Sequence, residues 1–372
     1  MQKIIFGLFV ICFFMISSLF AYDKTTDSKN VYYSSEHFRT VIGLSYINST
    51  SLESFSDKIL LAAEKSWNIE VEQFGFKHPI NTDIKKIDIY IGNKSAYNYE
   101  TKSYETISSS YAGWAVSYPS DNTPYFLLNP SLTDNQLKVT ISHEFFHTIQ
   151  FAYFDEKKID DLKWKKNIWW LESTAVLMED EVYDEINDYI NFLEPFFKKS
   201  YLSFEIYNGS HEYAMVIFAK YLREKYGLQI FKDTFKKIET SKDDGYFEIL
   251  DILLKTDYNT NMEIELGQFA IWVSNAIEHF KDGNLYPTLI KFNLKDNKVI
   301  SKGGILCLNN SEENLIFSNN YYLKSYSDYN ELLISNKNNF DVTIGIVNNF
   351  KFFDSFGYIE KVEIKSKEAV EL

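Results

Sequence analysis

Two histidines and a glutamate at fixed spacing are the residues of this chain best suited to chemistry. His143, Glu144 and His147 form an HExxH pattern inside VTISHEFFHTIQFAY. The spacing there predicts a helix, and on a helix positions i and i+4 share one face. Both imidazoles can therefore point at one ion, and Zn2+ suits this donor type. Glu144 lies between them, where its carboxylate can reach a metal-bound water and serve as general base. The plainer reading is an amphipathic helix with two partly buried histidines. With 6 His in 372 residues, two of them flanking a Glu in this way is an uncommon coincidence.

A zinc site of this kind needs a third protein ligand and an open fourth position. Trp169-Trp170-Leu171-Glu172-Ser173-Thr174-Ala175 reads as a second helix, on which Glu172 shares a stripe with Ala175 and Val176. A carboxylate on such an apolar face is costly unless paired or metal-bound. Glu172 is thus the expected third ligand, a capping or salt-bridged Glu being the alternative. Glu179 and Asp180 are weaker candidates, because they belong to an acidic run, Glu179-Asp180-Glu181, that reads as solvated.

With HExxH and WWLESTA in place, the chain resembles the gluzincin clan of zinc metallopeptidases. Within it, it is most similar to poorly characterised secreted bacterial metalloproteases of the HExxH…WxxExxA kind. The resemblance implies His143, His147 and Glu172 as zinc ligands and Glu144 as the base. Leu171 stands where many of these enzymes carry Asn, and Ser173 where aminopeptidase-type members carry Gly. It also implies a tetrahedral-oxyanion donor, commonly a Tyr or His on the helical half. Tyr213 and His211, which open a helix after Asn208-Gly209-Ser210, are the candidates here. His37, His78 and His279 have no partner pattern and read as structural or surface residues.

These residues must be positioned by a folded scaffold, and the order of elements is that of an α+β protein. Residues 22–35 are polar and read as a flexible lead-in. HFRTVIGLSY (37–46) reads as a strand and 52–74 as a helix, stopped by Gly75. Further strands are expected at Ile87–Ile91, within Tyr111–Tyr118 and at Tyr125–Leu128, before Asp134 caps the HExxH helix. The resemblance implies a cleft lined by a sheet edge, a role that falls to Pro124–Leu128, where a substrate peptide could add as a strand. Residues 155–167 read as a charged surface loop. Helical spacing then recurs over 185–198, 211–226, 229–239, 246–255 and 263–281, with Gly227 as a stop.

From about 287 the texture becomes alternating, broken by Asn, Asp, Ser and Gly, and reads as a small all-β, sandwich-like domain. The expected division is a signal peptide over 1–21, the lead-in over 22–35, a zincin-like metallopeptidase domain over 36–284 and the β-rich domain over 285–372. The leader has one Lys, an apolar run and Ala21 before a polar start, so export to the periplasm or medium is expected. An uncleaved anchor is the alternative, and no other segment is apolar enough to span a bilayer.

Of 2 Cys, Cys12 lies in the leader and Cys307 reads as a buried strand thiol, so no internal disulfide is expected in the processed chain. The formal net charge of −14 argues against nucleic acid or an anionic membrane as partner. The sequence therefore points to a secreted zinc peptidase with a peptide or protein substrate. The alternative is a catalytically inactive binding or adhesion protein acting through its β domain.

Overall fold

The computed structural model describes residues 22–46, 52–153, 161–241 and 245–290, together with strands between 292 and 371. The expected signal peptide over 1–21 lies outside the described residues. No helix among the described residues is long and apolar enough to cross a membrane.

The fold is α+β, as expected. Its first half is a six-stranded mixed sheet built from β1 (Asp23–Thr26), β2 (Asn30–Ser34), β3 (Phe38–Gly43), β4 (Ile87–Ile91), β7 (Gly113–Ser117) and β8 (Pro124–Leu128), in the order β1-β2-β3-β4-β8-β7. β3, β4 and β8 are parallel, and β7 runs antiparallel to β8 at the edge. A hairpin of β5 (Asn93–Asn98) and β6 (Ser103–Thr106) follows β4. Two expectations are corrected here. Residues 22–35 are not a loose lead-in: β1 and β2 pair with each other and with β3. The free edge is β7 and not Pro124–Leu128, because β8 is buried along its whole length between β4 and β7.

Strand alternation divides the sheet into two faces. Ile87, Ile89 and Ile91 of β4 and Phe126 and Leu128 of β8 join the main core, under α1 (Leu52–Trp67) and α2 (Asp134–Gln150). Tyr90, Tyr125 and Leu127 face the other way, into a smaller cluster with Val41, Ala96 and Tyr118. There Arg39 grips Asp88 through two bonds of 2.7 and 2.8 Å, and the Tyr118 hydroxyl donates to the same carboxylate at 2.8 Å. Three charge-assisted bonds thus satisfy this buried carboxylate.

α2 opens with a capping box at Thr133 and Gln136, one residue before the expected cap Asp134. α3 (Asp161–Val182) begins inside the stretch expected as loop. The helical half follows: α4 (Glu194–Lys198), α5 (His211–Ala214), α6 (Val216–Tyr226), α7 (Gln229–Ile238), α8 (Tyr246–Asp257), α9 (Met262–Ser274) and α10 (Ala276–His279). The segment expected as one helix over 185–198 is broken. Asn187 takes a left-handed conformation (φ 54°) and Asp188–Phe192 forms a 3-10 turn before α4.

Beyond 291 the expected β texture appears as strands. β9 (Phe292–Asn293), β10 (Ile305–Asn309), β11 (Asn314–Ser318), β14 (Val342–Val347) and β15 (Ile359–Ile364) form one sheet. β12 (Tyr322–Ser325), β13 (Leu332–Ser335) and β16 (Ala369–Glu371) form another. The chain past 285 is still tied to the helical half. The Ile305 amide donates to the Ser200 carbonyl at 2.7 Å, and Leu289 and Ile305 are buried in the main core.

α1 runs on into a π-helical turn, Asn68–Gln73, which carries a fully buried carboxyl, Glu70. The Ser142 hydroxyl lies 2.9 Å from Glu70 Oε1 and 3.1 Å from the Met178 carbonyl. One hydroxyl has one proton, so when Ser142 donates to Met178 the Glu70 carboxyl must bring its own. Burial pushes Glu70 well above the usual carboxylate range, and the Ser142 bond and His143 only partly oppose it. The neutral form is favoured in the fold and the charged form in the unfolded chain. Glu70 therefore supports folding fully below its ordinary pKa, and that support is lost as pH rises toward the folded-state value. Glu70→Gln is expected to raise Tm at pH 8 by at least about 2 °C. The gain should shrink toward zero below about pH 4.5. Thermal melts across this range check it, and a gain independent of pH would mean that Glu70 is ionised in the fold.

Candidate metal centre

α2 and α3 lie antiparallel against each other, with Gln150 opposite Leu171 and Thr174, and His143 opposite Glu179. This pairing brings His143, His147 and Glu172 to one point. His143 Nε2 lies 3.1 Å from His147 Nε2 and 3.2 Å from Glu172 Oε2, and His147 Nε2 lies 3.5 Å from Glu172 Oε2. Tetrahedral zinc with bonds of about 2.0–2.1 Å would space its ligand atoms about 3.3 Å apart. All three expected ligands are therefore together, at a separation that fits.

The outer partners of the two imidazoles decide what those atoms can do. His143 Nδ1 is 2.7 Å from Glu179 Oε1, and His147 Nδ1 is 2.8 Å from Gln150 Oε1. The Gln150 amide is oriented by its other end, where Nε2 donates to the Leu171 carbonyl at 2.9 Å and to Thr174 Oγ1 at 3.0 Å. Gln150 Oε1 can only accept, and Glu179, which burial raises to about 7 against the pull of His143, accepts when ionised; both Nδ1 atoms then carry the ring proton and each Nε2 turns its lone pair inward. Two imine nitrogens and a carboxylate oxygen then converge in a part-buried site without a donor among them. Such a set calls for a cation, either a metal or added protons. The titration tendencies express this demand. Burial opposes charge on His143, yet Glu172 and Glu179 hold it well above the usual imidazole range. Burial would raise Glu172, but His147 and His143 outweigh it and hold the carboxyl well below the usual range.

Glu179 and Asp180 correct the expectation of a solvated acidic run, since both are buried. Glu179 lies seven residues after Glu172, two turns along the same stripe, and so faces α2 at the level of His143. Asp180 points to the other side, where the buried Lys220 ammonium of α6 meets it at 2.7 Å. Asp184 and Asp282 gather near Asp180, but Lys220 also lies 3.6 Å from Asp282, so that group already holds its counter-charge.

Glu144 is buried at the foot of a cleft of about 450 Å3, against the edge strand β7. Burial raises its carboxyl, His143 and His147 oppose that, and the Ala115 backbone bonds to it. Gly113 makes this possible. A Cβ on Gly113 would stand 2.5 Å from Glu144 Cγ and 2.6 Å from Oε1, so any side chain there would displace the carboxylate. Neither Gly113 nor Gln150 was legible as a site residue from spacing alone.

Tyr213 stands across the cleft. Its ring stacks on His143 at 6.1 Å, and its hydroxyl interacts with Glu172. Burial, with Glu172 and Glu144 nearby, keeps this phenol far above its usual range, so it remains an O–H donor. His211 is not brought to the cleft. It is buried in the helical half, where burial pushes its imidazole down to about 4 and leaves it neutral. The expectation that His211 could serve as oxyanion donor is corrected by this placement: it is not among the residues lining the cleft. His37 stacks on Trp67 and bonds Glu64 at 2.7 Å, and His279 stacks on Trp272, both away from the cleft.

The close approach at Gly113 gives a direct check on this geometry. Gly113→Ala is expected to destabilise the fold by about 1–3 kcal/mol in denaturant unfolding, as overpacking does. Combined with Glu144→Ala it should lose most of that cost, because the atoms it meets are gone. Additive losses would show that the two residues are not in contact.

Residues 17–252 match the model of a family described as Family of unknown function (DUF6055). No curated protein matches the chain. The matched span is more than half of the 372 residues and takes in every residue of the candidate metal centre and its outer partners, so the protein belongs to DUF6055, a family of unknown function.

Proposed function

We propose that this protein is a secreted zinc-dependent peptidase of the gluzincin type. The observation that carries the reading is the inward convergence of His143 Nε2, His147 Nε2 and Glu172 Oε2, with Glu144 beside them and not among them. Two neutral imidazoles and one carboxylate make a donor set suited to catalytic zinc. When bound there, zinc supplies Lewis acidity, bringing a water's pKa down to about 7 and polarising a carbonyl.

Each residue then has one task. Glu179 and Gln150 hold the two imidazoles in the tautomer whose Nε2 lone pair faces the site. Glu144 accepts the proton of the attacking water as its oxygen adds to the scissile carbonyl carbon, and it delivers that proton to the leaving nitrogen as the C–N bond breaks. Tyr213 donates its O–H to the oxygen that gains charge in the tetrahedral state. The β7 edge offers backbone groups to an extended peptide, which would lie across the cleft as an added strand. Export of the processed chain is part of this proposal and rests on the leader's composition alone.

Purified protein is expected to carry about one zinc per chain, and His147→Ala should lose most of it. Glu144→Gln should keep zinc and thermal stability yet lose nearly all cleavage of casein. Normal turnover in that variant would remove Glu144 as the base, and loss of metal would make it a ligand.

Gln150→Leu should weaken zinc affinity by roughly 10–100-fold in chelator competition, since it frees the His147 ring. Unchanged affinity would mean that packing alone orients His147. Tyr213→Phe should lower kcat by about 100-fold with little change in KM. A rise in KM alone would assign Tyr213 to ground-state binding.

A further inference from the structure

The cleft of the candidate centre is acidic and supplies no cation of its own. Glu144, Glu172 and Glu212 line it, and no Lys or Arg does among the described residues. Zinc in the centre would offset Glu172 and Glu144. Glu212 would remain, held by the Gly209 amide at 2.8 Å and the Asn208 amide at 3.2 Å. Around it lies a chain of formal net charge −14, whose field draws cations toward an open cleft.

The mouth of the cleft is aromatic. Tyr111, Trp114 and Tyr207 line it and are 48%, 49% and 53% exposed. Trp114 lies on the β7 edge and Tyr111 just before it, while Tyr207 belongs to the loop that leads into α5. Tyr111 and Trp114 meet edge to face, with ring centroids 5.4 Å apart and planes at 86°. Such a pair uses only one ring face between its members. Exposed aromatic faces attract ammonium and guanidinium groups. The chain makes this contact internally, with Lys29 Nζ 3.1 Å from the centre of the Tyr97 ring and Lys65 Nζ 3.9 Å from that of Tyr183.

We infer that the cleft selects cationic peptides, whose Lys and Arg side chains settle on Tyr111, Trp114 and Tyr207 while the acidic interior draws their charge. The inference rests on the peptidase reading for its reaction, but the charge preference is a property of binding alone. A peptide added along β7 sets alternate side chains beside Trp114. A Lys or Arg there lays its stem on the ring and keeps its charged end in water, so little hydration is lost. An Asp or Glu there would meet the negative face of the rings and the repulsion of the whole chain.

The test compares three synthetic peptides of one length that differ only in carrying Lys, Gln or Glu at the same positions. Zinc-loaded Glu144→Gln protein, which binds without turnover, is titrated with each at about 20 mM and about 0.5 M salt. The Lys peptide is expected to bind at least about tenfold more tightly than the Gln peptide at low salt, and the Glu peptide most weakly. The advantage should shrink at high salt. Trp114→Leu and Tyr207→Leu, each checked by thermal melting, should each cut it by about threefold. Equal affinities, a preference for the Glu peptide, or no binding of any peptide would overturn the inference. So would a Lys preference that both ring variants leave unchanged.

Wild type is then given the same three peptides. Faster cleavage of the Lys peptide supports the inference, and equal cleavage of all three overturns it while leaving the peptidase reading intact. Selective binding of the Lys peptide with none cleaved would keep the cationic ligand class and refute the peptidase reading instead.

Discussion

The structure depends on one constraint: two buried helices must each bury polar side chains toward the other, and every one of those groups must find a partner. α2 and α3 meet this largely between themselves: His143 is matched by Glu179 of α3, Gln150 by Leu171 and Thr174 of α3, and Ser142 by the Met178 carbonyl of α3, while His147 is matched within α2 by Gln150 and Ser142 also by Glu70 of the turn after α1. Once these pairs are made, the inward atoms of His143, His147 and Glu172 are fixed in place and in protonation. The candidate centre is thus a by-product of how the outer groups are satisfied, as much as of the three inward side chains themselves.

That constraint also explains what could be read from the sequence. Local signals were sufficient where chemistry and helix period coincide. His143 and His147 at i, i+4 must share a face, and Glu172 on an apolar stripe needed a partner. The α+β order and most helices of the second half followed from periodicity in the same way. Apart from the local break at Asn187 and the early start of α3, the failures were tertiary. Glu179 and Asp180 look like a solvated acidic run because sequence shows no sign of the imidazole and the Lys220 ammonium that meet them. Residues 22–35 look like a tail because their strands are short and polar, and only pairing with β3 makes them part of the sheet. β8 was mistaken for the edge because spatial strand order is not sequence order.

His211 and Tyr213 illustrate the same limit at finer scale. They are two residues apart on one short helix, so they point in different directions, and sequence offered no way to choose between them. The fold turns Tyr213 onto His143 and seals His211 into the helical half. Burial has opposite effects on their use: it keeps the phenol protonated and able to donate, and it keeps the imidazole neutral and out of reach.

The strand pairing described above bears on how the molecule assembles. α2 and α3 are neighbours in the chain, and closing the short connection between them costs little entropy. The β3, β4 and β8 pairs are parallel, and each requires a long crossover before its first bond can form. Local contacts form fast and parallel sheets slowly. The antiparallel β7–β8 pair that walls the cleft is local as well, so during folding only its docking onto β4 has to wait for the parallel pairing. The inward donors of α2 and α3 and the β7 wall would then be set against each other only when β8 docks on β4, so the shape of the cleft is settled by a parallel strand pair that contributes none of its lining.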